Sequence, residues 1–200
     1  MIDSIRKPKQ QRAIEKKEKI IEAGFNLICK NGYYNTNTAE IAKEADVSTG
    51  IVYQYFKDKN DILLDGLYKF GDKIFFPILT LDLSNYDIKN FDKDLTNLIA
   101  SQIKNHKLSQ SAHEEITAMI HTDSNVAKYF YDKEFEVTEK IKNLLVKNGY
   151  EEEQLLEKVH IIIGLIDNLC HEITYHKHKN INYDAMTSIT INMIKNLFEE

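Results

Sequence analysis

The sequence predicts an all-α protein in which a small N-terminal helical unit precedes a larger helical body. Two observations favour this fold class. The 200 residues include only 2 Pro and 7 Gly, which leaves little material for the turns that many short strands require. Apolar residues recur at the spacing of one helix face through most of the chain. A 42% hydrophobic content supports a packed core and argues against a disordered chain.

The first helix is predicted over about residues 9–30. Ile14, Ile21 and Ile28 recur at seven-residue spacing, and further apolar residues widen the same stripe. The helix is expected to end at Asn31-Gly32, because glycine adopts the left-handed conformation that closes a helix.

Two short helices are predicted next, joined by a tight turn. Asn37, with Glu40 three residues on, has the pattern of a capping box, so a second helix is expected to begin there and to last about eight residues. Asp46-Val47 makes the turn. Ser48 is predicted to cap the third helix, TGIVYQYF.

A fourth, longer helix is predicted to begin at Asp58, with Asp61 three residues on. Three helices with a tight turn between the second and third form a helix-turn-helix unit. Such a unit presents the N-terminal end of its last helix to the major groove of DNA. Here that end offers Thr49, Gly50, Ile51 and Tyr53.

Gly50 is informative, because glycine inside a helix costs about 1 kcal/mol relative to alanine. A missing side chain would let the backbone approach DNA; the alternatives are a close helix-helix contact or a capping position. Tyr53 and Tyr55 are expected to be exposed and to contact phosphates or thymine methyl groups, with packing between helices as the alternative. Lys59, beside the start of the fourth helix, can neutralise a phosphate.

The net charge of −5 conceals an asymmetry along the chain. Residues 1–60 contain 11 Lys+Arg against 8 Asp+Glu, whereas residues 61–200 contain 15 against 23. A basic N-terminal segment on an otherwise acidic chain indicates that residues 1–60 bind a polyanion. The alternative is a lysine-rich surface with no binding role.

The segment TNTAEIAKEADVSTGIVYQYFKDKNDIL, residues 36–63, resembles the DNA-binding domain of the TetR/AcrR family of bacterial transcriptional regulators. Asp46 stands where the family usually has glycine, and Asn37 where it usually has threonine. Both are compatible with the fold, because aspartate tolerates a left-handed turn and asparagine caps helices. The resemblance rests on Ile41-Ala42, Ala45, Val47-Ser48, Gly50, Tyr53, Tyr55-Phe56, Lys59 and Ile62-Leu63.

This resemblance implies a homodimer that binds a roughly palindromic DNA operator, acts as a repressor, and releases the operator when a small-molecule inducer binds. It implies a DNA-binding domain over residues 1–57 and a ligand-binding and dimerisation domain over residues 58–200. The Arg6–Arg12 segment is expected to reach the DNA backbone or a minor groove. Bases are expected to meet Thr49, Gly50, Ile51 and Tyr53, with Ser48 beside them, and phosphates to meet Asn37, Thr38, Tyr55 and Lys59.

Six helices are predicted after the first three, nine in all, at about 58–80 (the fourth helix above), 87–106, 109–122, 125–148, 151–178 and 183–198. The helix at 151–178 is apolar on more than one side, which is typical of a helix buried between two partners. With the last helix it is predicted to form the dimer interface. The interface residues are Leu155, Val159, Ile162, Ile166, Leu169, Ile173, Ile189, Met193 and Leu197.

A polar stripe crosses the same helix, with His160, Asp167 and His171 on one side. A metal site is not predicted, because no second carboxylate or cysteine lies nearby. A solvated face, a polar pair across an interface and a ligand contact all remain open.

The inducer pocket is expected among the helices of residues 87–148 and the following long helix. Because acidic residues dominate this half, cationic or neutral apolar inducers are favoured. The proposed lining is Phe75, Phe76, Ile99, Ile103, His113, Met119, Tyr129, Phe130 and Asn168.

Several function classes are excluded. The chain lacks GxSxG, P-loop, HExxH and glycine-rich nucleotide motifs, so neither an enzyme nor a cofactor is predicted. It has no run of 18 apolar residues and no secretion signal, so a cytoplasmic protein outside the membrane is expected.

The alternative to a ligand-released regulator is a constitutive DNA-binding or architectural protein, whose C-terminal body only dimerises or recruits a protein partner. A continuous cavity in that body favours the regulator, and a tightly filled body the alternative.

Overall fold

The computed structural model describes residues 11–86, 88, 91–108 and 110–198, and these contain helices and no strand, so the all-α prediction is confirmed. A π-helical stretch, Leu67–Gly71, joins the helices Lys59–Gly66 and Asp72–Phe75, and a 3-10 helix, Pro77–Thr80, follows them. With the continuous run 59–75 counted once, the described residues form nine α-helices, as predicted. The helices are α1 (Gln11–Asn31), α2 (Thr38–Glu44), α3 (Thr49–Tyr55), α4 (Lys59–Gly66), α5 (Asp72–Phe75), α6 (Phe91–Leu108), α7 (Gln110–Met119), α8 (Ser124–Lys147), α9 (Leu155–Thr174) and α10 (Tyr183–Asn196).

Local capping signals fix where the N-terminal helices begin and end. Asn37 Oδ1 accepts hydrogen bonds from the backbone N–H groups of Ala39 and Glu40, and the Glu40 carboxylate accepts one from the Asn37 N–H, so the predicted capping box is confirmed. Asp58 caps α4 in the predicted way. Gly32 ends α1 with φ of 90°, a left-handed conformation.

Ser48 corrects one of these expectations. It occupies the N-cap position of α3, but its side chain makes no capping hydrogen bond. Its backbone carbonyl accepts from the N–H groups of Ile51 and Val52 instead, so the helix begins without the hydroxyl. The Ser48 side chain is left exposed beside α3.

The described chain divides into two compact units by packing, residues 11–74 with 110–131, and residues 75–108 with 132–198. The first unit contains α1–α4, α7 and the start of α8; the second contains α6, most of α8, α9 and α10. The functional boundary between residues 57 and 58 stays a prediction, because packing alone does not separate DNA binding from ligand binding.

The core of the first unit lies where α1 meets α2, α3 and α4. Ile20, Ile41, Val52 and Ile62 are fully buried there. The α1–α4 contact is close because residue 66 is a glycine. A Cβ at Gly66 would lie 2.6 Å from the Phe25 ring. Ion pairs Lys17–Asp65 and Glu18–Lys69 flank the same contact.

The π-helical stretch ends at Gly71, which lies directly against the hydroxyl of Tyr129 on α8. Tyr129 is completely buried, and its Oη donates a hydrogen bond to Asp72 Oδ1 at 3.1 Å. Gly66 and Gly71 therefore each permit a close approach to another helix, one at either end of the π-helical stretch.

The core of the second unit corrects the predicted dimer interface. α9 packs on α6 and α10, and its main apolar stripe faces into the chain's own core. Ile173 and Leu197 are partly buried against that core, whereas Ile189 and Met193 are 59% and 50% exposed. The prediction is wrong for Leu155, Val159, Ile162, Ile166 and Leu169, none of which is more than 8% exposed within one chain.

Both cysteines, Cys29 and Cys170, are free thiols. Across the part of the chain that the structure describes, no helix combines the length and apolar character needed to cross a membrane.

Candidate nucleic-acid interface

The turn between α2 and α3 is short and tightly bonded. The Val47 N–H donates to the Ala42 carbonyl at 3.0 Å, and the Asp46 N–H donates to the Lys43 carbonyl at 3.2 Å. Asp46 has φ of 53°, so it adopts the left-handed conformation that aspartate tolerates better than most residues. The turn holds α3 against α2, with Val52 buried between them.

α3 has one face in the core and one face in solvent. Thr49, Gly50, Tyr53 and Gln54 are exposed, and Ile51 is half-buried. The opposite side contains Val52, Tyr55 and Phe56.

Tyr55 is buried, unlike the sequence-based expectation. The side chain is only 8% exposed and belongs to the core of the first unit, so the expectation that it is exposed is wrong, and its contact with a phosphate stays a prediction. On a helix, residues two apart point to roughly opposite sides, and Tyr53 is the tyrosine that faces solvent. Packing between helices, the alternative weighed from the sequence, is what the structure shows for Tyr55.

Gly50 has no neighbour that requires a glycine. A Cβ built at this position would meet only Ser48 Oγ, at 3.9 Å, which is ordinary van der Waals contact. Its φ is not in the left-handed region, where only Gly32 and Gly149 lie among the glycines described. The alternative of a close helix-helix contact at Gly50 is therefore wrong.

The exposed hydroxyls of α2 and α3 are joined. Thr38 Oγ1 and Tyr53 Oη lie 2.9 Å apart and share a hydrogen bond. This bond fixes the Tyr53 ring over the start of α2. Asn37 is exposed beside it, with its side-chain oxygen used by the α2 cap.

Lys59 is partly buried and is held from inside the protein. Its Nζ donates to the backbone carbonyls of Tyr33 at 2.6 Å and Thr36 at 2.9 Å, and lies 4.2 Å from the centre of the Tyr33 ring. An ammonium group has three protons, and these two bonds use two of them. Lys59 therefore ties the α1–α2 connection to the start of α4, and its contact with a phosphate stays a prediction.

We expect Lys59→Ala to lower the free energy of unfolding by about 1–3 kcal/mol, because the buried carbonyl of Thr36 and that of Tyr33 lose a charged donor. Thermal or urea unfolding followed by circular dichroism measures the change. Lys57→Ala is the control, since Lys57 is an exposed cation two residues away. Equal stability of the two variants would contradict the structural role of Lys59.

Two carboxylates distant in sequence also hold the helix-turn-helix unit. Glu115 of α7 accepts a hydrogen bond from the Tyr34 backbone N–H at 3.1 Å. Asp123 accepts one from Asn60 Nδ2 at 2.8 Å and caps α8 through the N–H groups of Asn125 and Val126. The hydrogen bond from the Val126 N–H, against the opposing effect of burial and with help from those of Asn60 and Asn125, holds the pKa of Asp123 below its usual value. No local sequence pattern indicates the Glu115 contact, which spans 81 residues.

Gln54 is a second residue that sequence analysis missed. It is exposed on α3, one helical turn after Gly50 and next to Tyr53. The four-residue spacing from Gly50 was a usable signal, because residues four apart lie on one helix face.

The predicted pocket residues fall into both units. In the first, His113, Met119, Tyr129 and Phe130 are all buried in the core. In the second, Ile99 is buried, Phe75, Phe76 and Ile103 are half-buried, and Asn168 is exposed. Their role as ligand contacts stays a prediction.

An open apolar hollow of about 430 Å³ lies between α9 and α10. Asn168 is the member of the predicted pocket set that lines it, together with Leu169, Ile189 and Met193 of the predicted interface. The rest of the lining is Leu165, Ile181, Asn182, Ala185, Met186 and Thr190.

The polar stripe of α9 is bonded within its own unit. His160 Nδ1 lies 3.3 Å from Thr138 Oγ1, and the His171 ring packs 5.1 Å from that of Tyr175. Burial raises the pKa of the Asp167 carboxyl, His171 opposes that effect, and Glu134 adds to it. Within the described residues, no group of three or more His, Cys, Asp or Glu side chains is placed to hold a metal ion.

Comparison with known proteins gives a family match to the N-terminal unit. Residues 20–65 match the family described as bacterial regulatory proteins, tetR family. The HTH-type transcriptional regulator HbdR of Aromatoleum sp. is 53% identical over 49 residues, which is 24% of this chain and 21% of HbdR. The HTH-type transcriptional regulator YerO of Bacillus subtilis is 23% identical over 198 residues, 92% of this chain and 65% of YerO. The chain thus spans less than two thirds of either relative.

Solved structures share the fold over nearly the whole chain. A TetR-family transcriptional regulator from Mesorhizobium loti superposes with a TM-score of 0.71 at 16% identity, covering 94% of this chain and 98% of that one. A regulator from Saccharomonospora viridis in complex with choline gives 0.64 at 18% identity, over 91% and 96% of the two chains. The multidrug binding protein EbrR complexed with proflavin gives 0.66 at 15% identity, over 91% and 99%. At these identities the likeness establishes the fold.

Proposed function

The chain belongs to the TetR/AcrR family of bacterial regulatory proteins, as its sequence predicts, and on that premise we propose that it represses transcription. As a homodimer, it binds a roughly palindromic DNA operator through α2 and α3 and leaves the operator when a small molecule binds its body. HbdR, YerO and the proteins from Mesorhizobium loti and Saccharomonospora viridis are described as transcriptional regulators, not as enzymes.

Gly50 carries the DNA-binding part of this proposal. Folding gives no reason for a glycine there, because a Cβ would meet only an exposed serine oxygen. Gly50 is the second residue of α3, where glycine still has a lower helix propensity than alanine, at a cost below the roughly 1 kcal/mol of a helix interior. Backbone approach to DNA explains why that cost is tolerated on the one face of α3 that is open to solvent.

The surrounding side chains match a DNA backbone and base edges. Thr49 and Ile51 flank Gly50 at the N-terminal end of α3, the end that reaches bases in helix-turn-helix proteins. The Tyr53 and Thr38 hydroxyls share one hydrogen bond and face the same side, and whichever accepts in that bond keeps a proton for a phosphate oxygen. The Arg6–Arg12 segment is expected to contact the DNA backbone or a minor groove. Its residues 6–10 lie outside the described residues.

The α9–α10 surface supports the homodimer. Ile161, Ile181, Ile189 and Met193 are all at least 44% exposed, although they are apolar. Gly164 lies on the same outward side of α9 with no atom within 4 Å of a built Cβ, which leaves room for the backbone of a second helix. An exposed apolar patch of this kind marks an interaction surface. We assign the interface to this outward face instead of the buried α9 stripe.

The inducer belongs to the cationic or neutral apolar class. Residues 61–200 carry an excess of eight acidic residues, 23 against 15 basic. Two proteins of this fold have been crystallised with cations, proflavin and choline.

One observation favours the alternative of a constitutive DNA-binding protein: Tyr129 and Ile99, both expected to line a pocket, are packed in cores.

Footprinting on the DNA upstream of the protein's own gene tests the proposal. We expect protection of a palindromic site, and its loss as proflavin, choline or a neutral apolar compound is added. Absence of any protected site would overturn operator binding at its own promoter. Protection that survives every compound would replace inducer release with the constitutive alternative.

A further inference from the structure

The exposed face of α3 has a notch at its centre. At 100° per residue, Gly50 lies between Tyr53 on one side and Gln54 on the other. The notch is open, because nothing but Ser48 Oγ comes within 4 Å of a Cβ built on Gly50. A helix with such a notch can approach the floor of a groove more closely, by the depth of one side chain, than a helix with a larger residue at this position. The two flanking side chains then extend furthest toward the bases.

Gln54 is the flanking side chain with unused hydrogen-bonding groups. The Tyr53 hydroxyl is already bonded to Thr38. In the part of the chain that the structure describes, the Gln54 side chain is exposed and makes no hydrogen bond. Its carboxamide offers two N–H donors and a carbonyl acceptor in one plane.

The composition of α3 determines which base such a group selects. The helix reads TGIVYQY and contains no charged residue. Guanine is most often recognised by Arg or Lys through O6 and N7, and α3 supplies neither. A glutamine carboxamide instead accepts from adenine N6 and donates to adenine N7.

We infer that Gln54 is a specificity-determining residue that reads an adenine in each half-site of the operator. The inference rests on the proposed DNA binding and adds to it the identity of one base pair per half-site. Thr49, the other exposed hydrogen-bonding side chain near the start of α3, pairs with several bases and sets no such preference.

Selection from a randomised double-stranded DNA library tests this with three full-length proteins: wild type, Gln54→Ala and Gln54→Glu. The wild type is expected to enrich a palindrome with adenine at one fixed position in each half. Gln54→Ala should lose a roughly 5- to 150-fold preference at that position and keep the others. Gln54→Glu should move the preference to cytosine, whose N4 donates to a carboxylate.

Gln154→Glu is the matched control, because it makes the same chemical change at an exposed residue outside the helix-turn-helix unit. It should enrich the wild-type sequence. Circular dichroism of each variant confirms folding, which an exposed substitution leaves intact.

The outcomes separate the inference from its premise. If the wild type enriches no sequence, the proposed operator binding fails. If the wild type enriches a palindrome and both Gln54 variants enrich the same one, Gln54 does not read a base. A loss of affinity by Gln54→Ala that is equal for all sequences would assign Gln54 to the DNA backbone and would also overturn the inference.

Discussion

Gly50→Leu is expected to abolish specific operator binding in a chain that remains folded. A leucine side chain on the open face of α3 holds the helix away from the base edges, so every contact to the bases lengthens at once. Affinity for the operator should fall about 1,000-fold or more, to the level of non-specific binding. Fluorescence anisotropy with a labelled operator measures the loss.

The same substitution is expected to leave folding unharmed, which makes the result specific. Leucine has a higher helix propensity than glycine, so the free energy of unfolding should rise by up to about 1 kcal/mol. Gly50→Ala is the graded control, because its single methyl group intrudes less into the groove and should weaken binding to a smaller extent. Protection of the operator by Gly50→Leu at wild-type concentration would show that α3 does not enter the groove.

Ile189→Asp is expected to convert the proposed homodimer into monomers. Ile189 is 59% exposed in the single chain, so a polar residue there is compatible with the folded protomer. In the dimer it would place a carboxylate on the apolar α9–α10 face, where no cation in the described lining can pair with it. Operator affinity should fall about 100-fold or more, because the two half-sites are then bound by the helix-turn-helix units of two separate monomers.

Sedimentation analysis and operator titration measure these two effects together. Ser188→Asp is the control, since it adds the same charge at an exposed neighbour outside the hollow lining. It should remain dimeric. A dimer of Ile189→Asp with wild-type operator affinity would place the contact between protomers elsewhere.

Local chemistry made the N-terminal unit readable from the sequence. Helix ends at Gly32, Asn37 and Asp58 each depend on residues within four positions, so their patterns are visible in the chain itself. The tight turn and the exposed glycine of α3 follow from the same short-range information. The family resemblance rests on this region and was recognisable for that reason.

Contacts between residues far apart in the sequence could not be predicted from it. α9 is apolar on more than one side, and the sequence does not say which side faces the chain's own core. Tyr53 and Tyr55 are chemically identical, and only the packing of α3 on α1 and α2 separates the exposed ring from the buried one. The partners of Lys59 and Glu115 lie 23 to 81 residues away, beyond any periodic signal.

The π-helical stretch Leu67–Gly71 has a consequence for how this chain is matched to others. A π turn contains about one residue more than an α turn, so everything after it is rotated about the helix axis by roughly 100° relative to an uninterrupted helix. Where a homologue has a regular helix at this point, the correct alignment puts a one-residue gap inside the helix rather than in the next loop. Deleting one residue here would swing Gly71 away from Tyr129 and bring a bulkier neighbour against that ring.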